Sequence, residues 1–204
     1  PARILARAMP REGGVRCPTE TGGPSSDVFQ PLPYSAAMSE PQDPAHRPEL
    51  FAGIRRFFET GIPFNRLLGL QMETIEAGFV TLLMPFRAEL IGNPLVPALH
   101  GGALSAMADA AGGAAVFASI AAADSVSTID LRIDYLRPAA PVDTRAEARV
   151  VRIGGRVGVT RIQVWQDRAE QNASSEIPDG DTPRVLVAEA TGVYSIRRGR
   201  APQD

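Results

Sequence analysis

The spacing of apolar residues after residue 47 predicts a helix followed by a β-hairpin. In segment 48–61 they recur at the i, i+3, i+4, i+7 spacing of an amphipathic helix, which Gly61 ends. These residues are Leu50, Phe51, Ile54, Phe57 and Phe58. After a turn or short helix, alternation of apolar and polar residues begins near Leu70 and predicts a strand. Gly78 is a turn signal, and segment 79–86 predicts a second strand that pairs back on the first.

A longer helix is predicted over about residues 100–119. The segment is alanine-rich and apolar all round, so we expect it to be buried on more than one side. Alternation then returns in segment 125–139 and predicts a strand with two different faces. One face carries Ile129, Leu131, Ile133 and Tyr135, and the other carries Thr128, Asp130, Arg132 and Asp134.

Three more strands are predicted over 143–154, 156–167 and 185–197, with a hairpin turn at Gly154 and Gly155. Segment 168–183 is polar and predicts a long loop. Local connections favour an antiparallel sheet with the long helix lying against it, which is an α+β fold. The sheet covers one flank of the helix, and another subunit would be the most economical cover for the rest.

The first 47 residues differ from the rest of the chain. They are rich in Pro, Gly and Ser and show no sustained periodicity, which predicts a disordered N-terminal extension over 1–47. Met38 lies within this extension, and one hypothesis is that translation starts there. Residues 48–204 are expected to form a single domain.

Composition excludes several classes of chemistry. The net charge of -2 gives no reason to expect a nucleic-acid partner. All 21 basic residues are arginines, so neither a Schiff-base lysine nor a P-loop lysine is available. One cysteine excludes an internal disulfide, and two histidines make a histidine-rich zinc site an unfavourable interpretation. No apolar run approaches a membrane span, so a cytoplasmic protein without a membrane partner is expected.

Asp109 is the unusual residue of the long helix, whose segment 100–115 reads HGGALSAMADAAGGAA. Alanine would favour the helix more, and a buried carboxylate costs several kcal/mol unless it is paired. Such a group is a candidate nucleophile or general base. The alternative is a structural carboxylate held by Ser105 or by a hydroxyl from a neighbouring strand.

Gly101 and Gly102 lie where the backbone N–H groups of a starting helix have no helical acceptor. Glycine permits close approach, and the helix dipole adds positive potential there. These are the requirements of an oxyanion hole for a carbonyl that becomes tetrahedral. The alternative is that the glycines only let the chain turn into the helix or let the sheet pack closely.

The spacing of the two features predicts a homodimer if both are catalytic. Gly101 and Asp109 are eight residues apart, which is about 12 Å along a helix. One reacting carbon must lie about 3 Å from both groups. One helix cannot provide this, whereas two antiparallel copies can.

The motif resembles the signature of hotdog-fold acyl-CoA thioesterases of the phenylacetate-degradation (PaaI-like) type. In that family H-G-G begins the long helix and an acid follows nine residues after the histidine, as His100 and Asp109 do here. The next strand, STIDLRIDYLRPA, is also similar, and the resemblance covers about residues 62–197. It implies a sheet wrapped around one central helix, and sites shared across a dimer.

The resemblance also implies roles for three further residues. His100 would position the loop or polarise the thioester, or it could simply cap the helix. Asn93 would lie near the attacking water, but here it stands seven residues before His100, and a turn asparagine is the alternative. Thr128 would hold the water, and a structural hydroxyl is the alternative.

The substrate needs both a cationic and an apolar region. Arg137, Arg152 and Arg156 are candidates for the phosphates of coenzyme A. Met72, Met84 and Phe86 are candidates for an acyl pocket, with core packing as the default interpretation. We expect no metal and no redox cofactor.

The first functional hypothesis is hydrolysis of an acyl-CoA thioester by a homodimer, with a homotetramer as a further possibility. Asp109 would be the nucleophile or general base, and the Gly101 N–H of the partner copy would hold the oxyanion. Two alternatives stay open. One is a hotdog hydratase or dehydratase, and the other is a non-catalytic acyl-CoA binding module.

Overall fold

A computed structural model describes residues 47–167 and 184–199. Six antiparallel strands form one sheet, and two short strands form a separate ribbon. The long helix, Gly101–Phe117, packs against five strands of the sheet. The predicted α+β hotdog architecture is therefore confirmed. All but the last residue of the predicted N-terminal extension, and the predicted loop 168–183, lie outside the described residues.

The helical segments are α1 (Arg47–Arg56), a π-helical turn (Phe57–Gly61), α2 (Pro63–Leu68), a 3-10 turn (Ala88–Leu90) and α3 (Gly101–Phe117). The strands are β1 (Gln71–Glu76), β2 (Phe79–Met84), β3 (Ile91–Asn93), β4 (Ala98–Leu99), β5 (Ser125–Tyr135), β6 (Thr144–Ile153), β7 (Val157–Asp167) and β8 (Arg184–Arg197). The order in the six-stranded sheet is β1-β2-β6-β7-β8-β5, and β3 pairs with β4 in the ribbon.

The predicted first helix is α1 continued by the π-helical turn. Phe57 and Phe58 from that turn form an aromatic cluster with Phe117 at the end of α3, with ring centroids 5.6–6.2 Å apart. The wider π-helical turn changes the hydrogen bonding of the backbone carbonyls. The Phe58 carbonyl oxygen accepts a hydrogen bond from the side-chain amide of Asn65 at 3.0 Å. The π-helical turn is thus packed against the C-terminal end of α3.

The predicted hairpin of β1 and β2 is present. Gly78 has a φ of +78°, which favours glycine, and it turns the chain between Glu76 and Phe79. Met72 and Met84, the two methionines considered for an acyl pocket, are 2% and 1% exposed and belong to the core.

The face assignment of β5 was wrong at its first half. Thr128 pairs with Tyr194 and Asp130 with Val193, so Ile129 is an extra residue that opposes no partner in β8. This β-bulge reverses the alternation, because one added residue shifts the following side chains to the other face. Ile129 is consequently 59% exposed, and Thr128 lies on the same face as Leu131, the face that packs against α3.

One side of α3 is left uncovered by its own chain. The helix is buried along the face that contacts the sheet, but Ser105, Ala106, Asp109 and Ala110 are only half-buried. The edge strand β5 lies nearby and pairs only with β8 among the described residues. In the same part of the chain, no helix is both long and apolar enough to span a bilayer.

Candidate active site

His100 caps the start of α3. Its backbone is extended, with φ −66° and ψ 128°, and its side-chain Nδ1 accepts a hydrogen bond from the Gly102 N–H at 2.8 Å. Its carbonyl oxygen accepts from the Ala103 N–H at 2.9 Å. This is the arrangement of an N-cap residue, which satisfies an N–H that the helix cannot. The capping alternative for His100 is therefore present in the structure, and a polarising role stays a prediction.

The cap distinguishes the two glycines of the motif. The Gly102 N–H is engaged by the imidazole, whereas nothing in the described part of the chain accepts a hydrogen bond from the Gly101 N–H. That N–H points out of the helix end, where the dipole gives positive potential. Gly101 is therefore the better oxyanion donor of the two.

Tyr135 also holds the start of α3, and sequence reasoning missed it. Its hydroxyl donates to the Gly101 carbonyl oxygen at 2.8 Å, and a Cβ on Gly101 would lie 3.2 Å from the tyrosine Cζ. The available signal was the alternation of β5, which places Tyr135 on the inner face with Leu131 and Ile133. The sequence does not show that this end of β5 meets the helix start.

The β3–β4 ribbon lies against the cap. A Cβ on Gly92 would be 2.7 Å from the His100 Cα, so only glycine permits this approach. Asn93 follows it, exposed, and its side-chain Oδ1 accepts from the Leu95 N–H at 3.0 Å. This is an Asx turn, which is the structural alternative for Asn93. Its proposed contact with water stays a prediction.

Asp109 lies two turns further along α3, on the uncovered side. Its Oδ1 accepts a hydrogen bond from the Thr128 hydroxyl at 2.9 Å. The bulge in β5 makes this contact possible, because without it Thr128 would face away from the helix. The carboxylate is half-buried rather than fully buried, so it is positioned by one hydroxyl and still reachable from outside. Asp109 and Thr128 were both candidates from the sequence, and the structure brings them together.

Tyr194 supports the helix from beneath Asp109. Its ring is 1% exposed, and its hydroxyl donates to the Asp109 backbone carbonyl at 3.1 Å. Burial raises the pKa of the Tyr194 phenol well above its usual range, and the nearby charge of Asp109 raises it further. A Cβ on Gly112 would overlap the hydroxyl oxygen, and one on Gly192 would lie 2.5 Å from the ring. These glycines therefore make room for the tyrosine.

The three candidate arginines do not gather in one chain. Arg137 follows Tyr135 and so lies near the start of α3. Arg152 and Arg156 lie at the other end, where the neighbouring Gly158 packs against Val116 of the helix. About 24 Å of helix separates the two ends, so one chain alone does not place all three around one set of phosphates.

Comparison with known proteins gives consistent results. The sequence profile described as "Thioesterase superfamily" matches residues 97–172. The medium/long-chain acyl-CoA thioesterase YigI of Salmonella typhimurium is 32% identical over 156 residues, which are 70% of this chain and 91% of that protein.

Solved structures agree on the fold. A protein from Shewanella oneidensis related to the thioesterase superfamily is 27% identical, with a TM-score of 0.59 over 75% of this chain and 98% of its own. The PaaI protein of the Escherichia coli phenylacetic acid degradation operon gives a TM-score of 0.60 over 74% of this chain and 96% of its own. At 20% identity, the second supports the fold alone.

Proposed function

Because the chain belongs to the thioesterase superfamily, we propose that it hydrolyses acyl-CoA thioesters to a free acid and coenzyme A. The membership confirms the expected enzyme class, a thioester hydrolase. The observation that carries the finer proposal is the pair of groups on α3: the Gly101 N–H without an acceptor in the described chain, and the Asp109 carboxylate on the uncovered side. The name of the YigI relative supports the choice of acyl-CoA as substrate.

Asp109 can act in either of two ways. As a nucleophile, its carboxylate adds to the thioester carbonyl, coenzyme A leaves as the thiolate, and water then cleaves the mixed anhydride. As a general base, it takes a proton from the water that attacks the carbonyl directly. In both routes the carbonyl oxygen becomes negative and the Gly101 N–H stabilises it. The Thr128 hydroxyl orients the carboxylate, and water is the only co-reactant.

The proposal requires two copies of the chain. Gly101 and Asp109 lie about 12 Å apart along α3, too far to serve one carbonyl. Antiparallel packing of two α3 helices through their uncovered sides would place the start of one beside the middle of the other. The small residues Ala106 and Ala110 would allow this approach, and the free edge of β5 would extend the sheet between copies.

The same packing would bring Arg137 of one copy towards the Arg152 and Arg156 end of the other. This supports a role for these arginines in binding the phosphates of coenzyme A. A dimer of dimers and a cytoplasmic location stay predictions.

The first test compares Asp109→Asn with Glu76→Gln, which changes an exposed acid at the end of β1. We expect the first variant to lose about 10²–10⁴ in kcat on acyl-CoA substrates, because a group acting on the reacting atoms contributes that much. The second should match the wild type. Unchanged turnover in Asp109→Asn would contradict its role. Hydration of an enoyl-CoA without hydrolysis would favour a hydratase, and tight binding without turnover would favour a binding module.

The second test removes the oxyanion donor itself with Gly101→Pro. Proline has no N–H and is favoured at the first helical position, and the extended backbone of His100 suits a residue before proline. Gly101→Ala is the matched control, since it adds a Cβ but keeps the N–H. Both variants bring a Cβ to 3.2 Å from the Tyr135 Cζ, so the alanine variant measures the effect of this crowding alone. We expect kcat of the proline variant to lie about 10²–10³-fold below that of the alanine variant.

Mixing the two inactive variants tests the shared site. A mixed dimer of Gly101→Pro and Asp109→Asn chains contains one site with both groups intact. After random exchange, half of the dimers are mixed, so about a quarter of the wild-type activity should return. No recovery, in a mixture whose chain exchange is verified by native mass spectrometry, would contradict sites built from two copies.

A further inference from the structure

An apolar groove lies beside the start of α3, and most of the residues that line it have no role assigned so far. Its floor is formed by Leu68, Leu90 and Ala103, which are 5%, 6% and 8% exposed. Its wall is formed by Phe64 and Leu67 of α2, which are 55% and 63% exposed. The cavity has a volume of about 580 Å³, and pockets that hold drug-sized ligands have about 300–1,000 Å³.

The groove is continuous with the candidate oxyanion site. His100 and Gly102 line it, and they flank Gly101, whose N–H would hold the thioester oxygen. Any group attached to that carbonyl carbon therefore begins at the mouth of the groove. Two groups are attached to it: the acyl chain and the sulfur of the pantetheine arm.

The lining favours the acyl chain. The pantetheine arm carries two amides that need hydrogen-bond partners when they leave water. The floor and wall provide five apolar side chains, and the polar lining residues are all exposed: Arg87, Glu89 and His100. The Nδ1 of His100 already accepts from the Gly102 N–H. Arg87 is also engaged, because its guanidinium donates to the Leu67 carbonyl oxygen at the end of α2. This contact fixes the wall of the groove rather than offering a partner inside it.

Exposure of two large apolar side chains to water on the six-residue helix α2 is unfavourable. Phe64 and Leu67 are neighbours on one turn of α2, and together they form an apolar surface that the chain itself does not cover. A ligand chain lying in the groove would remove this surface from water.

We propose that this groove binds the acyl chain of the substrate and that Phe64 and Leu67 set the longest chain accepted. The inference rests on the proposed function, because it places the thioester carbonyl at Gly101. Each additional CH₂ buried in the groove should raise kcat/KM about fourfold, until the groove is full. The substrates selected would be acyl-CoA esters of medium or greater chain length rather than acetyl-CoA.

The experiment measures kcat/KM of the full chain for saturated acyl-CoA esters from butyryl to palmitoyl. Leu67→Trp narrows the groove at an exposed position, so the fold should tolerate it, and Phe64→Trp is a second variant. Val151→Trp is the matched control, because it adds an indole at an exposed apolar position of β6 outside the groove. We expect the groove variants to lose about tenfold on the longest chains while butyryl-CoA changes little. The control should keep the wild-type profile.

A binding measurement separates this inference from the proposed function. Calorimetric dissociation constants of the same esters are measured with Asp109→Asn, alone and combined with Leu67→Trp. Chain-length-dependent binding that Leu67→Trp truncates would support the groove even if the wild type hydrolysed none of the esters. Equal losses at every chain length, or no change of profile in either groove variant, would overturn it. A groove filled by a second copy of the chain would produce the equal losses.

Discussion

Two adjacent glycines of α3, Gly112 and Gly113, should respond to alanine with opposite signs. A Cβ on Gly112 would overlap the hydroxyl oxygen of Tyr194 and lie 2.8 Å from the Thr160 Oγ1. A Cβ on Gly113 would meet nothing nearer than the Tyr194 ring at 3.6 Å, which is ordinary contact. The two substitutions therefore make the same chemical change on the same helix and differ only in what the new methyl group touches.

The magnitudes follow from these contacts. Replacing glycine by alanine inside a helix gains about 1 kcal/mol of helix propensity, and Gly113→Ala should realise that gain. Gly112→Ala gains the same but overpacks the core, at a cost of about 1–3 kcal/mol. It also displaces the Tyr194 hydroxyl from the Asp109 carbonyl, which costs about 1–3 kcal/mol for a buried polar group. The expected net loss is about 1–5 kcal/mol.

The assay is urea unfolding followed by circular dichroism, with all variants at one chain concentration because ligand or partner binding shifts the midpoint. Tyr194→Phe provides the test of cause, since it removes the overlapping oxygen. In that background Gly112→Ala should cost measurably less, which is a favourable coupling in the double-mutant cycle. Stabilisation by both alanines, or the absence of coupling with Tyr194→Phe, would refute the steric explanation.

Three further predictions concern the ends of α3 and the core. His100→Ala should lower the free energy of unfolding by about 1 kcal/mol, and His100→Asn should restore it, because asparagine is also a good N-cap. If His100 only caps the helix, kcat of the His100→Asn variant will match that of the wild type. Buried Asp124 pairs with half-exposed Arg198 at 2.6 Å and also accepts a hydrogen bond from the Gly199 N–H at 3.0 Å. Arg198→Met should destabilise more than Asp124→Ala, by about 3 kcal/mol against about 1 kcal/mol in urea unfolding, because it removes the cation paired with the buried carboxylate and leaves the Gly199 N–H as its donor. Burial raises the pKa of the Tyr194 phenol. As the pH rises above about 10, the unfolded chain therefore loses the phenol proton while the folded chain keeps it, and the free energy of unfolding should fall. Tyr194→Phe should weaken this alkaline dependence.

Much of the fold was predictable because its signals are local. The amphipathic spacing gave α1 and its continuation, alternation gave the strands, and the glycine at position 78 marked a hairpin. The motif around His100 and Asp109 was predictable for a different reason, since glycines and a carboxylate are unfavourable inside an apolar helix and need an explanation. These residues lie where the sequence analysis placed them.

The features that were not predictable depend on contacts between distant segments. Nothing in the local sequence marks Ile129 as a bulge, because the extra residue is defined only by the pairing of β5 with β8. The burial of Tyr194 beneath Asp109 joins residues 85 positions apart. The groove was also missed. Met72 and Met84, which were considered for an acyl pocket, belong to the core, whereas Phe64 and Leu67, which line the groove, were not considered.

The bulge at Ile129 separates the position of a residue in the sequence from the face on which its side chain lies. Thr128 and Asp130 pair with the adjacent residues Tyr194 and Val193, so deleting Ile129 would remove the bulge and leave a regularly paired strand. The Thr128 hydroxyl would still face Asp109, because regular alternation then runs from Leu131 through Asp130 to Thr128. Among related chains, the number of residues between the acid of the helix and the hydroxyl of the strand can thus differ by one without loss of the contact, and a fixed motif spacing would miss such a site.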